Sequence, residues 1–352
     1  MSSGASTEGA RAANAAAAPV IIGKRSGDVP VAGELTAVTV SEIISRISGK
    51  DLRIAQRALP EEQPEMPVRP PVLCAGCPHR GAFYAVKSAT RGRPAVYCGD
   101  IGCYTLGNAQ PLDMVDTCLC MGAGITMAQG IDHAIRIAKE APAADAGPAG
   151  AVGASPGGAA GAKTAGKASG NSLTFAFVGD STFFASGLTG VVNAVYNQAD
   201  MILCVLDNST TAMTGHQPHP GMGRTMMGEQ VPPVDIAKVL EGIGVTSVRT
   251  ADPLDLKGSL SAVRKAIKEK GVRAIIFQSP CIALVPPRGN ACVEPDKCYS
   301  CMYCINQIGC PALITRGGKA FIDQDTCTGC GLCAQVCPAK AITVSPKEGG
   351  AL

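Results

Sequence analysis

Two runs of four cysteines near the C-terminal end constrain this chain more than any other feature. Cys298, Cys301, Cys304 and Cys310 make the first, closed by Pro311; Cys327, Cys330, Cys333 and Cys337 make the second, closed by Pro338. The sequence holds 17 cysteines, an odd number, and its N-terminus shows no charged segment leading into an apolar one. A disulfide scaffold is therefore a poor reading, and thiolate ligation of metal a good one. The second run is C-x2-C-x2-C-x3-C-P. In that spacing one loop wraps three corners of a four-iron cubane, and the fourth thiolate crosses to another cluster.

Carried over residue by residue, this two-cluster ferredoxin pattern gives one 4Fe-4S cluster to Cys298, Cys301, Cys304 and Cys337. The other falls to Cys327, Cys330, Cys333 and Cys310. The first run departs from the pattern, with five residues rather than three before Cys310. That lengthens a loop without removing a ligand. A zinc site fits less well, because it uses one set of four ligands rather than two interleaved sets.

With 31 basic against 28 acidic residues, the net charge of +3 leaves no electrostatic footprint for nucleic acid. No apolar run approaches the roughly 18 residues of a membrane-spanning helix. A soluble, cytoplasmic protein that binds neither nucleic acid nor membrane is expected.

Residues 1–71 read as a disordered Ala/Ser/Gly tail, one helix-like stretch over 40–47, and a Pro- and Glu-rich linker. Residues 72–290 alternate strand-like segments (95–98, 173–178, 201–206, 273–278) with helix-like ones (122–139, 188–197, 255–270). That alternation predicts an α/β domain built on a parallel sheet. Within it, residues 141–172 lack periodicity and read as a flexible Ala/Gly-rich insertion. Residues 291–345, with both cysteine runs, are expected to form a small α+β two-cluster ferredoxin-like domain.

The strands over 173–178 and 201–206 end in Gly179-Asp180-Ser181 and Asp207-Asn208-Ser209-Thr210. The 27 residues between Asp180 and Asn208 suit a helical crossover between adjacent parallel strands. Both side chains then emerge at the C-terminal edge of the sheet, where such folds bind ligands. A carboxylate, an amide oxygen and the carbonyl of Thr210 are oxygen ligands suited to Mg²⁺, which completes its shell with phosphate oxygens. This is the thiamine-diphosphate motif, although Gly-Asp-Ser after a strand is often only a turn. No G-x-G-x-x-G opens a helix in a βαβ unit, which speaks against a nicotinamide site.

Four segments carry a resemblance: LCAGCPHR from Leu73 to Arg80, GDIGCYTLG from Gly99 to Gly107, GDSTFFASG from Gly179 to Gly187, and DNSTTAMTGHQPHPG from Asp207 to Gly221. Over roughly residues 70–345 the chain resembles the alpha subunits of the indolepyruvate:ferredoxin oxidoreductase family. The resemblance implies a parallel-sheet, PP-type thiamine-diphosphate module followed by the two-cluster domain. It implies oxidative decarboxylation of an aryl 2-oxoacid to an aryl-acyl-CoA, with coenzyme A as co-substrate and ferredoxin as electron acceptor.

The same resemblance implies a third 4Fe-4S cluster on Cys74, Cys77, Cys103 and Cys281, the alternative being reduced structural thiols. Cys98, Cys118, Cys120, Cys204 and Cys292 fit no ligand pattern and read as small buried hydrophobes. His79, His216 and His219 lie in the motif loops and are candidates for substrate or proton handling. His133 reads as an ordinary helix residue. Where the family often has a histidine after the two phenylalanines of GDSTFF, this chain has Ala185, which puts the exact substrate in doubt. Only the diphosphate-binding module is visible, so a partner chain is expected to supply the pyrimidine-binding module, beside a gamma-type subunit. Pyruvate, 2-oxoglutarate and branched-chain oxoacids remain alternative substrates, and a non-catalytic electron-transfer subunit an alternative role.

Overall fold

The computed structural model describes residues 21–54, 68, 70–140 and 172–346, with the side chains of residues 139 and 140 left aside. The expected N-terminal tail, most of the linker and nearly all of the 141–172 insertion lie outside the described residues. The chain divides into two compact units, Met1–Arg69 and Pro70–Leu352. In the first, α1 (Ala37–Ser48) starts at Thr36, whose hydroxyl accepts from the Thr39 amide, and stops at Gly49 in the left-handed region. It encloses the expected helical stretch.

The second unit opens with α2 (Pro78–Ala89), which has proline in its first turn. There follow β1 (Ala95–Gly99), β2 (Thr117–Cys118), α3 (Ala123–Glu140) and β3 (Leu173–Gly179). A short α4 (Asp180–Thr182) runs through a π turn (Phe183–Gly187) into α5 (Leu188–Tyr196), and β4 (Met201–Asp207) comes next. Then come α6 (Ile236–Ile243), β5 (Ser247–Ala251), α7 (Leu256–Lys268) and β6 (Val272–Gln278). Asp235 and Asp255 cap α6 and α7 with their carboxylates. The strands form one parallel sheet in the order β2-β1-β3-β4-β6-β5.

Alternation along the strands divides the core between the two faces of the sheet. Phe175 and Phe177 of β3 point to one face, with Phe83 and Val86 of α2 and Val263 and Ala266 of α7. Ala176 and Val178 point to the other, with Ile125 and Ala128 of α3, Val191 and Ala194 of α5, and Leu240 of α6. Burial of this surface on both sides is why the strands read as near-continuous apolar runs. β3 and β4 are neighbours, as the 27 residues between Asp180 and Asn208 predict. The chain leaves β1 toward β2 and β3 toward β4, in opposite directions, so the topological switch point falls between β1 and β3.

The C-terminal segment holds β7 (Gly289–Val293), α8 (Tyr303–Ile308), β8 (Leu313–Arg316), β9 (Lys319–Ile322), α9 (Leu332–Val336) and β10 (Ile342–Pro346). β7 pairs antiparallel with β10, and β8 with β9. Its small core of Ile308, Leu313, Ile322, Leu332 and Ile342 extends to Tyr84 on α2 and to Leu254 and Leu256. Among the described residues no helix is long and apolar enough to cross a membrane.

One expectation needs correction. Cys98 and Cys204 are buried, but Cys118, Cys120 and Cys292 are exposed. Cys118 lies on the two-residue edge strand β2, and Cys120 just beyond it. On β7 inward and outward positions alternate, so Ala291 is buried and Cys292 faces out.

Candidate active site

A cavity opens at the C-terminal edge of the sheet across the switch point. Residues after β1 (Ile101 to Tyr104), after β3 (Gly179 to Thr182) and after β4 (Asn208, Thr210 to Thr214) line it, with His79 from α2. Gly179, Asp180, Ser181, Asn208 and Thr210, drawn together from the sequence pattern, therefore share one cavity wall.

Asp180 is buried and held from several sides. Its Oδ1 accepts from the Ser181 amide at 2.8 Å, and its Oδ2 from the Asn208 amide at 3.1 Å. Ser209 takes a left-handed conformation at φ +60°, turning the chain sharply between Asn208 and Thr210. The Thr210 hydroxyl is buried without a hydrogen-bond partner. Asp180, Asn208 and Thr210 thus bring a carboxylate, a side-chain amide, a backbone carbonyl and an unpaired hydroxyl to one cavity, oxygen chemistry that fits magnesium diphosphate.

His79 is fully buried and its Nε2 lies 3.4 Å from Asn208 Nδ2. Burial pushes its imidazole down to about 4, with Asp180 pulling the other way, so the ring is neutral at physiological pH. His219 is buried behind Asp180 rather than in the cavity lining. His216 is exposed in a left-handed turn at φ +63° and stands outside the lining. Ala185 is exposed in the π turn and also outside it.

Two acidic residues were not singled out from the sequence. Asp100 is fully buried; it accepts from the Tyr104 hydroxyl and, at 2.8 Å, from the Gly122 amide. Burial raises its carboxyl to about 6 against those hydrogen bonds. Asp207 is buried beside Asp180; burial first, then the Asp180 charge, raises its carboxyl. Tyr104 fits beneath Gly179, where a Cβ would lie 2.7 Å from its ring. The sequence signals for Asp100 are its position one residue past a strand, which Asp180 shares, and its place in the GDIGCYTLG segment.

The cysteines gather in three sets. Cys298, Cys301, Cys304 and Cys337 line one cavity, and Cys310, Cys327, Cys330 and Cys333 another, matching the interleaved expectation. Burial pushes the Cys333 thiol up to about 12, and the neighbouring Cys330, Cys310 and Cys327 add to the effect. Cys74, Cys77, Cys103 and Cys281 are the third set that the resemblance implies. The Cys77 thiol is pushed up to about 12 by burial, with Cys74 and Cys103 contributing. Cys103 is raised by burial and then by Cys281 and Cys74. Cys103 also lines the Asp180 cavity, and the Cys281 amide donates to the Asn208 carbonyl at 2.8 Å. Among the described residues no three His, Cys, Asp or Glu side chains converge tightly enough for a single ion. Four thiols spread around one cavity, as in each of the first two sets, suit a larger inorganic core.

Fold and site define a thiamine-diphosphate-binding domain joined to an iron-sulfur segment. Residues 132–277 match the family described as thiamine pyrophosphate enzyme, C-terminal TPP binding domain, and residues 320–343 the 4Fe-4S binding domain. The chain is 36% identical to the indolepyruvate oxidoreductase subunit IorA of Archaeoglobus fulgidus over 333 residues, 92% of this chain and 48% of that protein. It is 37% identical to IorA of Thermococcus kodakarensis over 80% of this chain and 42% of that protein. For IorA of Methanothermobacter marburgensis the identity is 34%, over 91% and 47%. The chain is similar to these IorA subunits over the part it matches, and it spans about half their length. Among solved structures, 2-oxoglutarate:ferredoxin oxidoreductase from Magnetococcus marinus aligns at a TM-score of 0.43 and 17% identity, over 60% of this chain and 65% of that one, a likeness too slight to bear on the function.

Proposed function

We propose that this chain is the thiamine-diphosphate- and iron-sulfur-binding part of an arylpyruvate:ferredoxin oxidoreductase, with indolepyruvate as substrate. The overall reaction converts a 2-oxoacid, coenzyme A and two oxidised ferredoxins into an acyl-CoA, CO₂, a proton and two reduced ferredoxins. A partner chain contributes the pyrimidine-binding module, beside a gamma-type subunit. The observation that carries this reading is the convergence of Asp180, Asn208 and Thr210 in one cavity whose wall also includes Cys103.

In this reading residues 72–290 form the thiamine module and residues 291–345 the two-cluster module. Asp180, Asn208 and the Thr210 carbonyl hold Mg²⁺, and Gly179 and Ser181 border the diphosphate. Thiamine diphosphate, when bound, supplies the electron sink for decarboxylation. Asp180, itself buried, balances cation charge in the site. His79, kept neutral by burial, offers a proton donor or acceptor at the cavity wall. His219 backs Asp180 from the far side. The three cysteine sets hold 4Fe-4S clusters, one-electron carriers whose low potentials suit a ferredoxin acceptor.

The test is anaerobic co-expression with the partner chains, followed by a panel of 2-oxoacids with coenzyme A and a viologen acceptor. Indolepyruvate is expected to give the highest kcat/KM. Preference for pyruvate, 2-oxoglutarate or a branched-chain oxoacid would overturn the substrate, and a native preparation free of thiamine diphosphate would overturn the catalytic role.

A further inference from the structure

Arg80, three residues after Cys77, is only 3% exposed. Its Nη1 donates to the carbonyls of Ile308 and Gly309, both at 2.7 Å, immediately before Cys310. Its Nη2 donates to the carbonyls of Leu73 at 2.6 Å and Cys74 at 3.3 Å. One guanidinium thus ties the start of the Cys74–Cys77 loop to the backbone that delivers Cys310. Its side chain also lines the cavity of Cys310, Cys327, Cys330 and Cys333. The two loops meet closely here. A Cβ on Gly76 would stand 2.0 Å from the Thr328 hydroxyl.

Among the described residues Arg80 pairs with no carboxylate, and its Nε is buried without a partner. A buried guanidinium facing only carbonyls is costly unless negative charge lies close by. A cubane bound by four thiolates carries net negative charge and gains more on reduction. Two such sets flank Arg80, whereas Cys298, Cys301, Cys304 and Cys337 line a cavity that does not include it.

We propose that Arg80 is the shared counter-cation of the clusters on Cys74/Cys77/Cys103/Cys281 and Cys310/Cys327/Cys330/Cys333, raising both reduction potentials together. It is a positioning residue: it acts through the clusters and touches no substrate. The proposal rests on the three-cluster reading above and deepens it. Cluster potentials respond to local charge and hydrogen bonding, so removing a buried cation disfavours the reduced, more negative state of both neighbours.

The experiment is an EPR-monitored redox titration of the anaerobically assembled complex, carrying wild-type chain, Arg80→Gln or Arg80→Lys. Signals are assigned by their loss in Cys301→Ser, Cys330→Ser and Cys77→Ser. Wild-type protein with only two cluster signals would defeat the three-cluster reading before any Arg80 variant is examined, and the proposal with it. Given three signals, Arg80→Gln is expected to shift two potentials to more negative values and leave the Cys298-set potential in place, while Arg80→Lys stays near wild type. Unchanged potentials in Arg80→Gln, or an equal shift of all three, would overturn the proposal. If Arg80→Gln fails to load iron, Arg80→Lys decides: full loading with native potentials supports a role for charge. Shifted potentials or failed loading in Arg80→Lys would mean that the fork of carbonyl bonds matters instead, and would overturn it.

Discussion

The imidazole of His219 stands against the carboxylate of Asp180, with Nε2 3.1 Å from Oδ2 and both side chains about 3% exposed. The approach misses hydrogen-bond geometry, since Nε2 has no hydrogen-bond partner, so proximity and packing make the contact. The other side of the ring is stacked on Phe184 at 6.0 Å between centroids, and its Nδ1 accepts from the Gly221 amide at 3.2 Å. Phe184 belongs to the π turn that follows α4, the short helix that Asp180 opens. The same short segment therefore supplies both the carboxylate and the ring that fixes its backing.

His219→Ala should leave every proposed magnesium ligand in place while loosening Asp180. Affinity for thiamine diphosphate with Mg²⁺ is expected to fall about tenfold, roughly 1.4 kcal/mol. Asp180→Ala should weaken it on the order of 100-fold or more. Titration calorimetry measures both. Iron content should remain at the wild-type level in each variant; its loss would mean general unfolding rather than a damaged coenzyme site.

Interleaved ligation makes an asymmetric prediction about cysteine variants. Cys310→Ser should abolish the same EPR signal as Cys330→Ser, and Cys337→Ser the same as Cys304→Ser. If each run instead held its own cluster, Cys310→Ser would pair with Cys304→Ser. Wild-type chain is expected to carry about 12 Fe, against about 8 if the Cys74 set is empty, because each cubane holds four.

Gly76 sits at φ +76°, and its Cα faces Thr328. Gly76→Ala adds a Cβ both in a conformation that side chains avoid and against a hydroxyl on the Cys327–Cys330 loop. A loss of about 1–3 kcal/mol is expected from the backbone alone. Thr328→Ala should recover only part of it, because the strain at φ remains. Urea unfolding midpoints of the single and double variants measure the split.

The interleaved cysteine sets and the Asp180–Asn208 pairing were legible in the sequence because both depend on spacing along one stretch of chain. Parallel strands joined by a helix fix which side chains reach the same sheet edge, and C-x2-C loops fix which thiols share a corner. The interior of the site was not legible. Asp100 meets Gly122 only once β1 and the start of α3 are packed together, and nothing local to Arg80 announces carbonyls more than two hundred positions away. Helices α2 and α6 and strand β5 are not among the expected elements, although α6 carries its own signals, an Asp235 cap before an apolar face and Gly244 after it. The helical stretch read over 188–197 is α5; the short α4 and the π turn at Phe183–Gly187 that lead into it were not expected, since the π turn interrupts the 3.6-residue repeat. The solvent-facing position of Cys292 is a register effect, which residue type alone does not reveal.

Asp100 offers a pH test whose sign follows from its burial. Its carboxyl titrates near 6 in the folded protein against 3.8 for the ordinary side chain. Between those values the folded state binds more protons than the unfolded one, so stability falls as pH rises through the window. The contribution is on the order of 3 kcal/mol, from about two units at 1.36 kcal/mol each. It is fully present below about 4 and lost above about 6. In Asp100→Asn the Tyr104 hydroxyl keeps an acceptor and the titration disappears. Relative to wild type, the variant should therefore gain stability as pH climbs from about 4 to about 6 and hold a constant difference above that. Urea unfolding of the two proteins across this range provides the comparison, and a difference independent of pH would show that Asp100 is ionised throughout.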